Sequence, residues 1–348
     1  MYRINYFMLF LAAPFLALFL VSTGFADSSK HMQLPTTVLA EQVDELHNGI
    51  YDLQESIYSL GMLAEEQQQT FSEQYKDLAG LSELSASQRK LSDDIYEQKI
   101  LDMLGPAVAA HISDRVEIKI FELAELGYRG YIAKVKLFDP KAFKVVIAGD
   151  TLGELETTSS AAKRKGAILA INGGGFYTEN RNGKSYAQLI GNTVVDGKLV
   201  EPFNGYPGDL FFAGINRNGQ VIGTVPSTEN DIMRLKPYQG VSFIPVLLKD
   251  GKKVDIPEKW MATNQPRTII GKYANDDLIM IVIDGRQGNW SIGVTLEHLQ
   301  DKLLKLGVKE AYNLDGGGSS AIYYNGKVLN KPSDGKERPV ANNIVILP

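Results

Sequence analysis

Cysteine is absent from all 348 residues. That excludes a disulfide framework, thiolate metal sites, a cysteine nucleophile and an N-terminal lipid-modified cysteine. Histidine is scarce. His31, His47, His111 and His298 are the only four, and none lies in a glycine-rich motif. A Ser-His-Asp triad and a His-rich zinc site are disfavoured on that count, and proton transfer falls to carboxylates. Neither G-x-x-x-x-G-K-[ST] nor G-x-G-x-x-G occurs, so the usual nucleotide-phosphate loops are missing. A strong basic excess is missing too. The net charge is −5, which excludes a nucleic-acid-binding footprint.

That charge is unevenly spread. Residues 36–104 hold 14 acidic and 4 basic residues, a balance of −10, and residues 1–35 hold Arg3, Lys30 and Asp27, a balance of +1. Residues 105–348 are therefore at +4, a mildly basic domain suited to an anionic substrate. The N-terminus has one Arg, an apolar run to Val21 and small residues around Gly24 to Ala26. This predicts a signal peptide or N-terminal membrane anchor over 1–26, with the rest exported to the cell surface or the extracellular space. Uncleaved, the segment would hold the chain to a membrane.

Over 36–104, Val43, Ile50, Ile57, Ala64, Phe71 and Leu78 recur every seven residues. Leu46, Leu53, Leu60, Gln67, Gln74 and Leu81 recur with the same period, offset by three. The pattern predicts a coiled-coil stalk and, through it, a homo-oligomer. A helical hairpin folded on its own chain is the other reading. From His111 the pattern changes to short strands and turns. "LETTSSAAKRKG" reads as a helix ended by Gly166, and "TLEHLQDKLLKLG" as a second with Thr295 as N-cap. "DLIMIVIDGR" is continuous enough to be central in a sheet, and strand, helix, strand over 278–315 reads as a βαβ unit. The predicted fold class is α/β mixed. A central mixed β-sheet with hairpins and covering helices fills 105–348, preceded by the long α-helical stalk.

Two stretches repeat one design. "LAINGGGFY" places Asn172 before Gly173, Gly174 and Gly175, and "NLDGGGSSAIYY" places Asp315 before Gly316, Gly317, Gly318, Ser319 and Ser320. Asp284 likewise ends an apolar strand before a glycine. Ligands of open sheets bind outside the carboxyl ends of strands, so these tips are expected to converge on one cleft. Loop amides without side chains suit an anion, and Arg267, Arg286 and Arg338 supply forked donors for phosphate oxygens. Carboxyl pairs hydrolyse glycosidic bonds, and Asp284, Asp315, Asp334 and Glu337 are the candidates. Clustered Asp and Asn oxygens would also suit a hard cation such as Ca²⁺ or Mg²⁺, although the chemistry requires no cofactor.

"AINGGGFY", "PRTIIGK", "IVIDGR", the stretch from "GVTLEHLQ" to "YYNGK" and "NKPSDGKERPVANNIVI" occur in that order. Together they resemble the phosphodiester glycosidase family, the uncovering-enzyme-like domains, over about residues 110–348. The resemblance implies hydrolysis of a sugar-1-phosphodiester, with release of the sugar and a phosphomonoester. It implies Asn172 to Gly175, Arg267, Asp284, Asp315 to Ser319, Asp334, Glu337, Arg338 and Asn342 as site residues. The catalytic set is Asp315, Asp284 and Glu337, with acid, base and nucleophile not assigned individually. Arg267 and Arg338 are expected to hold phosphate. The expected substrate lies in a cell-envelope or extracellular polysaccharide. The rival readings are a non-catalytic envelope module that binds glycan phosphate and an exopolysaccharide assembly factor.

Overall fold

The computed structural model describes residues 14–19, 49, 51, 53–62, 91, 94–95, 97–205 and 208–348. Two compact units are present, Met1–Glu83 and Leu84–Pro348. In the second, β1 (Ala109–Ile112), β2 (Val116–Glu125) and β3 (Tyr128–Leu137) form a meander. β4 (Phe143–Ile147) is followed by the helix Thr158–Lys165 and β5 (Leu169–Asn172). Then come the hairpins β6 (Phe176–Arg181) with β7 (Lys184–Leu189), β8 (Val194–Val195) with β9 (Lys198–Leu199), and β10 (Phe211–Asn216) with β11 (Val221–Thr224). β12 (Pro237–Phe243), β13 (Val246–Lys249), β14 (Lys252–Lys253), β15 (Arg267–Lys272) and β16 (Leu278–Ile283) precede the helix Leu296–Lys305. β17 (Glu310–Leu314), β18 (Ile322–Tyr324), β19 (Lys327–Val328) and β20 (Asn342–Ile346) complete the domain.

The main sheet has eight strands in the order β1-β2-β3-β16-β15-β17-β13-β14. Two five-stranded sheets follow the orders β11-β10-β12-β8-β9 and β19-β18-β5-β20-β4. β16 shows why the layers stack as they do. Leu278, Met280 and Val282 join the core shared with Leu169 and Ile171 of β5 and Phe211 and Ala213 of β10. Ile279, Ile281 and Ile283 face the other way, against Leu296, Leu299 and Leu303 of the covering helix. A strand buried on both faces needs an unbroken apolar run, and "LIMIVI" supplies it. The helix Leu296–Lys305 begins at the Thr295 cap, whose side chain accepts from His298 N, as its sequence implies.

The α/β expectation is corrected. Every strand pair among the described residues of these sheets is antiparallel. The helices are short, and the fold is β-rich. One cause is turn chemistry. Asn182-Gly183, Asp196-Gly197, Asp250-Gly251 and Asn325-Gly326 all have positive φ at both positions, the geometry that closes two-residue hairpins between neighbours. A second cause is an intruding strand. β16 and β17 run parallel, as the strand–helix–strand pattern requires, but β15 lies between them and pairs antiparallel with both.

The long coiled-coil stalk is not part of this architecture either. Within 36–104 the described residues are helical at 49, 51, 53–62, 91, 94–95 and 97–104. Ile100 is fully buried against the outer face of the main sheet, so the end of that span packs on its own domain instead of forming a seam. Leu53, Ile57 and Leu60, expected in the seam, are exposed. The remaining residues of the stalk, and the N-terminal segment 1–26 apart from 14–19, lie outside the described residues. Among the described residues no helix is long and apolar enough to cross a membrane.

Candidate active site

Asn172, Asp284 and Asp315 lie at strand ends, and Arg267 begins β15 opposite Ile283 of β16. Antiparallel pairing therefore brings the start of one strand beside the ends of its two neighbours. The glycine loops meet directly. Asn172 Nδ2 donates to the Asp315 carbonyl at 2.6 Å, and Asp315 N donates to the Gly173 carbonyl at 3.2 Å. Asn172 Oδ1 also accepts from Thr268 Oγ1 at 2.7 Å and from Ala321 N at 3.2 Å. This buried amide is a three-way staple between β5, β15 and the second loop.

The first glycine run is consumed by the fold. Gly173 N donates to the Asn342 carbonyl, Gly174 N to Asn342 Oδ1 at 2.8 Å, and Gly175 N to the Ser242 carbonyl. A methyl group on Gly173 would lie 2.0 Å from Asn342 Oδ1, and one on Gly174 would lie 2.5 Å from the Ser242 carbonyl. These glycines permit close backbone approach, and their amides do not form the anion nest expected of them.

The second run is arranged differently. Gly317 N donates to the Pro266 carbonyl at 2.9 Å, and Gly317 to Ser319 make a single 3₁₀ turn with Gly317 at φ 59°. A methyl group on Gly317 would sit 3.0 Å from Arg286 Nη2. One on Gly318 would sit 2.1 Å from Arg338 Nη2 and 2.5 Å from Asp334 Oδ2. Two exposed guanidinium groups and one exposed carboxylate thus lie over two consecutive glycines. Arg338 Nη2 donates to Asp334 Oδ2 at 2.8 Å, and Arg286 Nε donates to Gln265 Oε1 at 2.8 Å.

Asp315 immediately precedes this turn, within reach of the Arg338 charge. Burial pushes its carboxyl up to about 6, against the opposing pull of the Ser319 hydroxyl, the Arg338 charge and the Gly316 amide. Asp334 shifts the other way. The Arg338 hydrogen bond lowers it, and Ser333 and the nearby Arg286 charge add to that against slight burial. Two carboxyls of one site are therefore held apart in acidity.

The other expected residues are placed in supporting positions. Asp284 is 1% exposed. Its oxygens accept from Trp290 Nε1 at 2.8 Å, Asn330 Nδ2 at 3.0 Å and Lys331 N at 2.9 Å. Burial raises its pKa against those donors. Glu337 accepts from Ser159 N at 2.9 Å and from the Ser159 hydroxyl, at the start of the helix Thr158–Lys165. Arg267 is 3% exposed, with Nε on the Val294 carbonyl and Nη2 on the Thr263 carbonyl. Burial lowers its pKa to about 10, with Glu297 opposing the shift and Arg286 adding to it. Ser320 Oγ and Asn342 Nδ2 are buried with no hydrogen-bond partner, polar atoms placed beside the loops and unspent by the fold.

Asn330 was not anticipated. Its amide joins Asp284, the Ser320 carbonyl and Ile322 N, tying the segment that carries Asp334 and Arg338 to the second loop. Trp290 was also missed. It donates to Asp284, with Lys331 Nζ 3.5 Å and Arg129 4.7 Å from its ring centre. The only signals were a tryptophan six residues after Asp284 and an Asn heading "NKPSDGKER". Among the described residues no group of three or more His, Asp or Glu side chains is placed to hold a metal ion. A surface cleft of about 410 Å³ is lined by Lys144, Asp150, Lys165 and Asp196, none of them in this cluster. Its lysines are already paired with its aspartates, leaving no net charge for an anion.

Residues 165–347 match the family description "phosphodiester glycosidase", just over half of the chain. The chain belongs to the phosphodiester glycosidase family. A Bacillus subtilis relative, the SPbeta prophage-derived uncharacterized protein YomE, is 31% identical over 55% of this chain and 29% of its own length. The mouse N-acetylglucosamine-1-phosphodiester alpha-N-acetylglucosaminidase is 27% identical over 66% of this chain and 46% of its own length. The chain thus spans less than half the length of these curated relatives. In structure it is similar to the zebrafish N-acetylglucosamine-1-phosphodiester alpha-N-acetylglucosaminidase catalytic domain, auto-inhibited by its pro-peptide. The TM-score is 0.55 at 25% identity, over 70% of this chain and 87% of that one. Within this phosphodiester glycosidase chain the match begins at the end of the helix Thr158–Lys165, so both glycine loops, Arg267, Asp284 and the Asp334–Arg338 segment lie inside it.

Proposed function

We propose that this chain hydrolyses a sugar-1-phosphodiester, releasing the sugar and a phosphomonoester. The observation that carries the reading is Asp315, a buried carboxyl raised to about 6 that heads the glycine turn and feels the Arg338 charge, with Arg286 and Arg338 over the two glycines that follow. The family supports a glycosidase acting on a phosphodiester-linked sugar, and the site supplies the parts. Arg286 and Arg338 take the phosphate oxygens as forked donors. Arg286 replaces Arg267 in that role, because Arg267 is buried and committed to backbone carbonyls. Protonated Asp315 donates to the oxygen between the anomeric carbon and phosphorus as the carbon–oxygen bond breaks. Water adds to the anomeric carbon as the phosphomonoester departs, and its proton passes through solvent to restore the Asp315 carboxyl. Phosphate is a good leaving group, so one acid suffices to assist it. Asp284 and Glu337 position the surrounding segments and do not react.

The apolar N-terminal run supports an exported enzyme, with a glycan phosphodiester of the cell envelope or extracellular polymer as substrate. An N-acetylglucosamine phosphodiester is the first to try, given the relatives' names. The full chain is incubated with UDP-N-acetylglucosamine and with envelope polymers carrying sugar phosphodiesters. Sugar release by the wild type and not by Asp315→Asn supports the reading. Binding of these compounds without turnover overturns it in favour of a glycan-phosphate module, and neither binding nor turnover favours an assembly role.

A further inference from the structure

The proposed reaction starts from one anion and ends with another. A phosphodiester carries one negative charge, whereas the phosphomonoester product carries nearly two above its second ionisation near pH 6. A pair of bare arginines would hold the product more tightly than the substrate. This site is not a bare pair. Asp334 Oδ2 lies over Gly318 with Arg338 Nη2, 2.8 Å from that guanidinium, and Arg286 lies over the adjacent Gly317. Ser333 Oγ donates to Asp334 Oδ1 at 3.1 Å, and Gly335 N closes the turn on the Pro332 carbonyl, so the carboxylate is held in place.

The other charges nearby are committed elsewhere. Glu337 caps the helix at Ser159, Lys331 lies on the Trp290 ring, Asp284 is buried among its three donors, and Arg267 is buried with Glu297 as its opposing charge. Lys336 is exposed on the segment itself. The groups over the two glycines are two cations and one anion.

We propose that Asp334 is a selectivity element: its fixed negative charge beside Arg286 and Arg338 matches the site to a phosphodiester monoanion and disfavours the phosphomonoester dianion. Asp334 thereby speeds product release and protects the enzyme from free phosphomonoesters. The idea rests on the phosphodiester reading, in which these two arginines hold phosphate.

The test exploits the linearity of Coulomb energy in ligand charge. Methyl phosphate and dimethyl phosphate are titrated calorimetrically into the full wild-type chain, Asp334→Asn and Asp334→Glu, at pH 5 and pH 8 and low salt. Asp315 titrates across this range in all three proteins and cancels in comparisons at one pH. Removing the charge should tighten dimethyl phosphate about fivefold at both pH values, and methyl phosphate about 25-fold at pH 8 but only about fivefold at pH 5. Asp334→Glu should behave as the wild type. Equal gains for both ligands at pH 8, or no gain, overturn the proposal, because a merely structural strut for Arg338 would not produce an effect that scales with ligand charge. If dimethyl phosphate binds and Arg338→Ala abolishes it while Asp334→Asn leaves the preference unchanged, the phosphate subsite stands and the role of Asp334 falls. If neither ligand binds any of the proteins, both fall together.

Discussion

Gly173 to Gly175 and Gly316 to Gly318 each follow a polar residue at the end of an apolar strand, and each run has three glycines. In the first, all three amides donate to Asn342 or Ser242 and the missing side chains make room for other strands. In the second, the missing side chains make room for Arg286, Arg338 and Asp334, and Asp315 lies just before the turn. The same letters serve packing in one loop and, in the proposed function, chemistry in the other. Neighbours distant in sequence decide which.

The sharpest test of that contrast is at the polar residue before each run. Asp315→Asn should lower turnover by about 10²–10⁴-fold, the usual worth of a positioned acid, in a steady-state assay of sugar release. It should not cost stability. The Asp315 carboxyl has a raised pKa, so folding favours its protonated form. Its contribution is fully present below the unfolded value near 4 and is lost as pH rises to about 6. The stability of Asp315→Asn relative to wild type should therefore rise by about 2–3 kcal/mol between pH 4 and pH 6 in urea titrations. By the same titration, wild-type turnover should fall as pH rises through about 6.

Alanine in the two runs should separate the two jobs. Gly174→Ala meets backbone of β12 and should lose about 1–3 kcal/mol, read by thermal unfolding. Gly318→Ala meets first the ends of Arg338 and Asp334, which can swing away. It should unfold near the wild-type temperature while KM rises about tenfold, the worth of one forked phosphate contact. Equal loss of stability in both variants would erase the distinction. The smallest effect is expected at Asp284→Asn, which keeps the shape and can keep the two bonds accepted at one oxygen, but sets an NH2 against the Trp290 Nε1 donor. It should cost about 1–2 kcal/mol of stability, with turnover reduced only through the displaced Asn330 segment.

How much of this was written in the sequence depended on range. "LIMIVI" announced a strand buried on both faces, and Thr295 and Gly166 marked helix ends, because those signals are local. The insertion of β15 between β16 and β17 was not legible. A strand–helix–strand pattern says that two strands run parallel, not that they touch. Arg267 and Arg286 were indistinguishable as letters, but pairing of β15 buries Arg267, whereas Arg286 lies past the end of β16 and is exposed. Asn330 read as loop punctuation, because its three partners lie on two other segments. The heptad spacing of 36–104 overstated a seam, and at its end Ile100 went to the sheet.

β15 has one more consequence. Its residues Thr268 to Lys272 pair on both edges, so the strands leading to Asp284 and Asp315 are held two ladder steps apart, about 9–10 Å. That spacing acts as a ruler built from main-chain bonds, insensitive to side-chain replacement. Adaptation to a bulkier or smaller sugar must then come from the rims, residues 257–266 and 330–338, which can be lengthened or trimmed while the gauge beneath them stays fixed.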